Sequence, residues 1–278
     1  MAAGEIPLID LLHHLGIVLP DADAALGFYR DVVGLEVAKD EVIEEQGVRG
    51  VLLPLGENEI ELLQPVREDT GVARFLENRG PTLHHLCLRT DDIEAELARL
   101  KGLGIELIDD TPRDGLAGKI AFLHPRSMHG VLVELAEVSD RDTPSSKGFD
   151  RISCRVADYE AAKTCWHKVA GIDEYSRYDL DSEGIILGQL SIGQVLLELM
   201  APNSHDSPLA QIIANEGERA NPTFSLEVDN LEVEISRYRR AGIELPDPKP
   251  GRALDSRYST ISEEQAFGVS IELIEYES

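Results

Sequence analysis

Cysteine is scarce in this chain. Cys87, Cys154 and Cys165 are its only thiols, odd in number and without a CxxC spacing. They build no disulfide framework, and reduced thiols in a cytoplasmic protein are the expectation. Long apolar runs are missing as well. None approaches the ~18–20 residues of a membrane helix, and the opening MAAGEIPLIDLLHHLG lacks the basic region, apolar stretch and small-residue cleavage site of a signal peptide. Positive charge is in short supply, with 26 Lys and Arg against 52 Asp and Glu and a formal net charge of −26. So acidic a surface repels nucleic acid and anionic membranes, so neither is an expected partner, and it disfavours polyanionic small molecules unless a local basic patch receives them. What remains is a globular composition, 42% hydrophobic and 28% charged, in a chain of 278 residues. That length suits one large domain or two ordinary ones.

The chain repeats itself. DADAALGFYRDVVGLEV from Asp21 matches DYEAAKTCWHKVAGIDE from Asp158, an offset of 137. LRTDDIEAELARLKGLGIEL matches LEVDNLEVEISRYRRAGIEL, and HGVLVELAE matches FGVSIELIE, with Glu134 and Glu272 138 apart. A weaker echo lies inside the first half, where HHLGIVLPDAD at His13 and HHLCLRTDDIE at His84 are 71 apart. Each half therefore holds two modules of about seventy residues.

Every module carries the same signals. An apolar strand (LGIVL, LCLRT, ISCRV, FSLEV) leads to an Asp placed to cap a helix. The helix has apolar residues at helical spacing, such as Ala162, Cys165, Trp166 and Val169, and ends at Gly34, Gly104, Gly171 or Gly242. Three shorter apolar runs follow, separated by turn residues. The order is βαβββ, four times, an α+β fold of two domains over residues 1–138 and 148–278. The polar segment VSDRDTPSSKG at 138–148 links them.

Two pairs of residues fall at matched positions. His14 and His85 open the first strands of modules one and two, while Glu61 and Glu134 lie in their last strands. A single strand histidine is usually structural, and a strand glutamate usually faces solvent. Two of each at equivalent positions of a pseudo-twofold pair is a different matter. Such a set suits one divalent ion, Mn, Co, Ni, Fe or Zn, with positions left open for a chelating substrate. His13 and His84 precede these histidines, and strand alternation lets only one of each pair face the ion. Applying the repeat offsets turns His14 into Arg151 and His85 into Thr223, while the glutamates become Glu198 and Glu272. Arginine cannot bind a cation, so one metal per chain is expected.

Over nearly its whole length the chain resembles the vicinal oxygen chelate superfamily, which includes glyoxalase I, extradiol dioxygenases and bleomycin resistance proteins. Residues 12–137 look most like its methylmalonyl-CoA epimerase branch, through EEQGV, ELLQPVREDTGVARFLENRG, LHHLCLRTDDIEA and GKIAFLHPRSMHGVLVELAE. The resemblance implies two glyoxalase-like domains, ligands at His14, Glu61, His85 and Glu134 rather than at Gln64 or His124, and a proton transfer at a carbon next to a carbonyl, with Glu134 as ligand and base. The implied substrate is an acyl-CoA or a smaller hydroxy or keto compound such as a keto-cyclitol. Lys119, Arg113 and Arg126 are candidates to meet phosphates. One departure stands out: several members carry a second acid/base Glu four residues after the Gln of EQGV, where this chain has Gly50. Glu45, Lys119 and His129 are the alternatives for that role. The second half, lacking both histidines, is expected to cover the first, as an internal pseudo-dimer in a monomer or within a homodimer. Glyoxalase I-like isomerisation, extradiol oxygenation and non-enzymatic sequestration of a small molecule are the competing readings.

Overall fold

A computed structural model describes residues 9–138, 148–253 and 255–276. The opening residues MAAGEIPL and most of the polar linker, residues 139–147, lie outside the described residues. Module one comprises β1 (Ile9–Val18), α1 (Ala22–Phe28), β2 (Lys39–Ile43), β3 (Val48–Leu55) and β4 (Asn58–Pro65). After α2 (Gly71–Arg79), module two has β5 (Thr82–Thr90), α3 (Ile93–Gly102), β6 (Arg113–Asp114), β7 (Lys119–Leu123) and β8 (Val133–Glu137). Module three follows with β9 (Phe149–Arg155), α4 (Tyr159–Ala170), β10 (Glu174–Leu180), β11 (Ile185–Ile192) and β12 (Val195–Pro202). Beyond α5 (Pro208–Glu216), module four has β13 (Arg219–Glu227), α6 (Leu231–Arg240), β14 (Lys249–Pro250), β15 (Ser256–Ile261) and β16 (Ser270–Tyr276). The βαβββ order expected from the repeats is present four times.

The module helices start and stop as their residues dictate. Asp21, Asp92, Asp158 and Asn230 each accept a hydrogen bond from the backbone N–H three residues on. In module four the cap is thus Asn230, one residue after the Asp of the repeat. Gly34, Gly104, Gly171 and Gly242 all have φ between 66° and 95°, the left-handed region that lets the chain leave a helix. Between Phe28 and Gly34 the first helix widens into a π turn, Tyr29–Val33. Helices α2 and α5 were not expected. Thr70 and Ser207 cap them, at equivalent positions of the repeat. Among the described residues no helix is long and apolar enough to cross a membrane.

The strands form two eight-stranded sheets with the same topology, β2-β3-β4-β1-β5-β8-β7-β6 and β10-β11-β12-β9-β13-β16-β15-β14. The first strand of each module lies at the centre of its sheet. Strand β1 is buried at nine of its ten positions, including His13 and His14. The edge strands β2, KDEVI, and β10, EYSRYDL, are mostly exposed and carry charges that discourage further strand pairing.

Packing divides the chain differently. Among the described residues, one compact unit spans 9–14, 85–138 and 152–221 and holds most of modules two and three; the other spans 15–84, 148–151, 222–253 and 255–276 and holds most of modules one and four. Each unit contains the same clamp. In the first, Arg99 of α3 pairs with the fully buried Glu96 at 2.5 Å and donates to the carbonyls of Lys168 and Val169 at 2.9 and 2.6 Å, in the last turn of α4. In the second, Arg237 of α6 pairs with Glu234 and donates to the Val32 carbonyl at 2.6 Å. Both arginines satisfy carbonyls that a helix terminus leaves without intrahelical partners.

The first unit also closes through a titratable pair. His129 Nδ1 lies 3.1 Å from Glu218 Oε1, which also accepts from the Ala157 N–H. A Cβ at Gly130, with φ 77°, would stand 1.9 Å from the Glu218 carbonyl oxygen, so this close approach requires glycine. The Glu218 hydrogen bond raises the His129 pKa, with burial opposing it, and lowers that of Glu218. A raised histidine pKa adds stability that is complete below its unfolded-state value and is lost as pH rises through the folded value. The lowered glutamate pKa adds stability that is lost as pH falls through its folded value. Thermal midpoints of wild type and Glu218→Gln are therefore expected to differ most in weakly acidic solution, by the equivalent of about 1 kcal/mol, and to converge as pH rises past the His129 pKa. A gap that persists undiminished into the alkaline range would count against the pair.

Candidate metal centre

The four central strands of the first sheet, β4, β1, β5 and β8 in that order, carry Glu61, His14, His85 and Glu134. All four side chains are buried. His14 Nε2 lies 3.1 Å from His85 Nε2 and 3.4 Å from Glu134 Oε1, and His85 Nε2 is 3.8 Å from Glu134 Oε2. On β4 of the same sheet, Glu61 has a carboxylate oxygen that forms a group with ring nitrogens of His14 and His85, all within 4.8 Å of one another. Parallel pairing sets the register on one side, with Cys87 of β5 opposite Glu134 of β8.

Burial pushes the His14 pKa down to about 3. The ring is neutral at ordinary pH, so its contact with Glu134 is not an ion pair and a nitrogen lone pair is available. Two bonds of about 2.1 Å meeting at a right angle span about 3.0 Å, close to the separations of His14 from His85 and Glu134. Two imidazoles and two carboxylates are also a donor set that would balance a dication in a buried setting. The residues present therefore fit a divalent metal.

The neighbouring polar residues have other occupations. Gln64 accepts the Ala22 N–H at 2.9 Å and so supports the start of α1. His124 accepts the Arg126 N–H. His84 packs edge-on against Phe75, 4.7 Å between ring centroids, and burial brings its pKa down to about 4. His13 keeps contact with its neighbour. It is buried, and its Nδ1 lies 2.9 Å from Nδ1 of His14. Cys87 joins these two in a second group of close potential ligands. Its sequence signal was the position two residues after His85, on the same strand face. Glu59 was also missed, although it stands two residues before Glu61 on β4. Burial and the Glu61 charge raise its carboxyl pKa, with Lys39 opposing.

The proposed alternatives for a second proton-transfer group are distributed over the first half. His129 is held by Glu218, Glu45 is exposed in the turn before β3, and Gly50 pairs with Glu41 and Leu63 in the sheet. Lys119 lines an open cavity of about 730 Å³ together with Asp91, Asp114 and Glu137. Arg126 pairs with Glu106, and Arg113 lies 3.5 Å from Asp109 and over the Phe122 ring. The basic residues suggested for phosphates thus stand among carboxylates.

The second sheet carries the duplicated positions in a different state. Arg151 is bound to Asp150 and to the Tyr276 hydroxyl. Glu198 accepts from the Gln189 amide at 2.8 Å, and Glu272 from the Ser225 hydroxyl at 2.9 Å. Among the described residues, both groups of three close potential ligands lie in the first sheet.

The sequence profile of the Glyoxalase/Bleomycin resistance protein/Dioxygenase superfamily matches this chain twice, over residues 13–124 and 150–260. The chain belongs to that superfamily. Mouse mitochondrial methylmalonyl-CoA epimerase is 38% identical over 128 residues, covering 45% of this chain and 72% of the relative. An ethylmalonyl-CoA/methylmalonyl-CoA epimerase of Cereibacter sphaeroides is 38% identical over 134 residues, 47% of this chain and all of the relative. Each match spans under half of this superfamily member. A solved mutant of 4-hydroxymandelate synthase from Streptomyces coelicolor covers 98% of this chain and 95% of its own, with a TM-score of 0.74 and 15% identity, and shares the two-domain fold.

The buried carboxylate Glu134 yields a stability test. Glu134→Gln removes negative charge from the interior, so the metal-free variant is expected to melt at a higher temperature than metal-free wild type. The same variant should gain less from added divalent cation. Calorimetric melting with chelator and with excess metal reads both effects, and a variant that melts lower without metal contradicts the charge argument.

Proposed function

We propose that this superfamily member is a metal-dependent epimerase, with one divalent ion per chain held by His14, Glu61, His85 and Glu134. The observation that carries the reading is the buried cluster of His14, His85 and Glu134, with Glu61 in ligand range, in a chain of which 45–47% aligns with methylmalonyl-CoA epimerases at 38% identity. When bound, the ion would supply Lewis acidity to stabilise negative charge on the carbonyl oxygens of a chelating substrate. Glu134 takes the proton from the carbon between or beside those carbonyls, as general base as well as ligand, and a solvent-derived proton returned to the opposite face of that carbon completes the epimerisation. His14 and His85, both buried, orient the site, and His14 is neutral and does not compete for that proton. Burial of all four residues keeps bulk water from the carbanionic centre. The second sheet, with Arg151 and Thr223 in place of the histidines, serves as a structural partner.

The substrate proposed first is a 2-substituted malonyl-CoA thioester, racemised at C2. A smaller α-hydroxy ketone is the second reading, favoured by the net charge of −26 and by the pairing of Arg113 and Arg126 with acidic residues. Protein purified without chelator is expected to contain one metal equivalent, and to incorporate deuterium at C2 of (2S)-methylmalonyl-CoA in D₂O. His85→Ala should lose metal and exchange together, whereas Glu272→Ala keeps both. Absence of metal overturns the enzyme reading. Metal-loaded protein that exchanges no deuterium into the thioester overturns the first substrate and leaves the hydroxy ketone to be assayed in the same way.

A further inference from the structure

Strand β1 presents two consecutive histidines, and only one of them faces the ligand cluster. His14 directs Nε2 at His85 and Glu134, which leaves Nδ1 to fix its ring. That Nδ1 lies 2.9 Å from Nδ1 of His13, with the rings edge to face at 5.2 Å between centroids. Both rings are buried, with His13 7% exposed and His14 fully covered. A neutral imidazole has one N–H and one lone pair. For His14 to offer its Nε2 lone pair to a cation, its proton must sit on Nδ1, where an acceptor has to stand within the protein because water does not reach it.

We propose that His13 is a positioning residue whose Nδ1 lone pair accepts the Nδ1–H of His14, holding His14 in the tautomer that presents Nε2 to the metal. This rests on the metal reading given above. His13 then carries its own proton on Nε2, and no net charge is added to the buried cluster. The partner thus comes from the adjacent residue of the same strand, and both rings are fixed by one backbone segment. Outer hydrogen bonds of this kind typically contribute 10- to 100-fold to metal affinity. Cys87 marks the competing arrangement, since its Sγ lies with the His13 and His14 nitrogens inside the second ligand group. A soft cation seated on those three atoms would occupy His14 Nδ1 and remove the hydrogen bond.

Two variants separate the hydrogen bond from packing. In His13→Asn the side-chain carbonyl oxygen stands where Nδ1 stood and still accepts, whereas His13→Leu fills the volume without an acceptor. Co²⁺ binding to the full chain is measured by calorimetry and by its visible absorption. His13→Leu is expected to bind roughly 10- to 100-fold more weakly, and His13→Asn close to wild type. In the zinc-loaded wild type, nitrogen NMR should show His14 protonated on Nδ1. This second measurement remains decisive if His13→Leu fails to fold. Wild-type affinity in His13→Leu, an equal loss in both variants, or a thiolate-to-cobalt band abolished by Cys87→Ser overturns the proposal and leaves the four-ligand reading intact. A wild type that binds no Co²⁺ overturns both.

Discussion

The structure depends on the side-by-side placement of β1 and β5 at the centre of one sheet. Equivalent strands of two modules become neighbours there, so a residue type repeated between modules is concentrated rather than scattered. His14 and His85 meet through this pairing, and β4 and β8 add one carboxylate on each flank. Such a cluster is unfavourable for an empty protein, because carboxylates in an apolar interior give up their hydration. The surrounding sheet keeps it in place through the nearly continuous burial of β1 and the register of β5 on β8. Cohesion of the fold is thereby set against the preference of carboxylates for water, and a dication would relieve the opposition.

Much of this was legible in the sequence because duplication writes the same physics more than once. The capping side chains and left-handed glycines recur at fixed offsets, and they mark the module helices to within a residue or two. Helices α2 and α5 escaped because they lie between modules, where turn residues draw more attention than Thr70 and Ser207 do. For the candidate ligands, matched spacing pointed to four strands that lie side by side in one sheet. Strand alternation then separated His13 from His14, a correct statement about backbone direction that says little about where a long ring can reach. The contact between their Nδ1 atoms is a matter of side-chain rotation, which periodicity does not record. Glu59 and Cys87 were hidden for a similar reason: each is ordinary by itself and acquires meaning only from a neighbour two residues along the same strand.

The duplicated half shows what becomes of the same scaffold when the ligand set changes. Glu198 and Glu272 persist, but each is satisfied by a neutral donor, Gln189 or Ser225. Arg151 has recruited Asp150 and Tyr276 around its guanidinium. Those pairings supply locally the compensation that a metal would bring to the first sheet. Away from the sheets the two halves have diverged less, and the arginine clamps of α3 and α6 still bind the carbonyls at equivalent helix ends.

The crossed composition of the compact units bears on how such a gene can change. Each unit takes one module from each half of the sequence, so both cores are made jointly by the old copy and the new. Neither half can be cut away without opening two interiors at once. The second half, which has Arg151 and Thr223 where the first has histidines, contributes packing surface to both units. Duplication of sequence has become mutual dependence in folding.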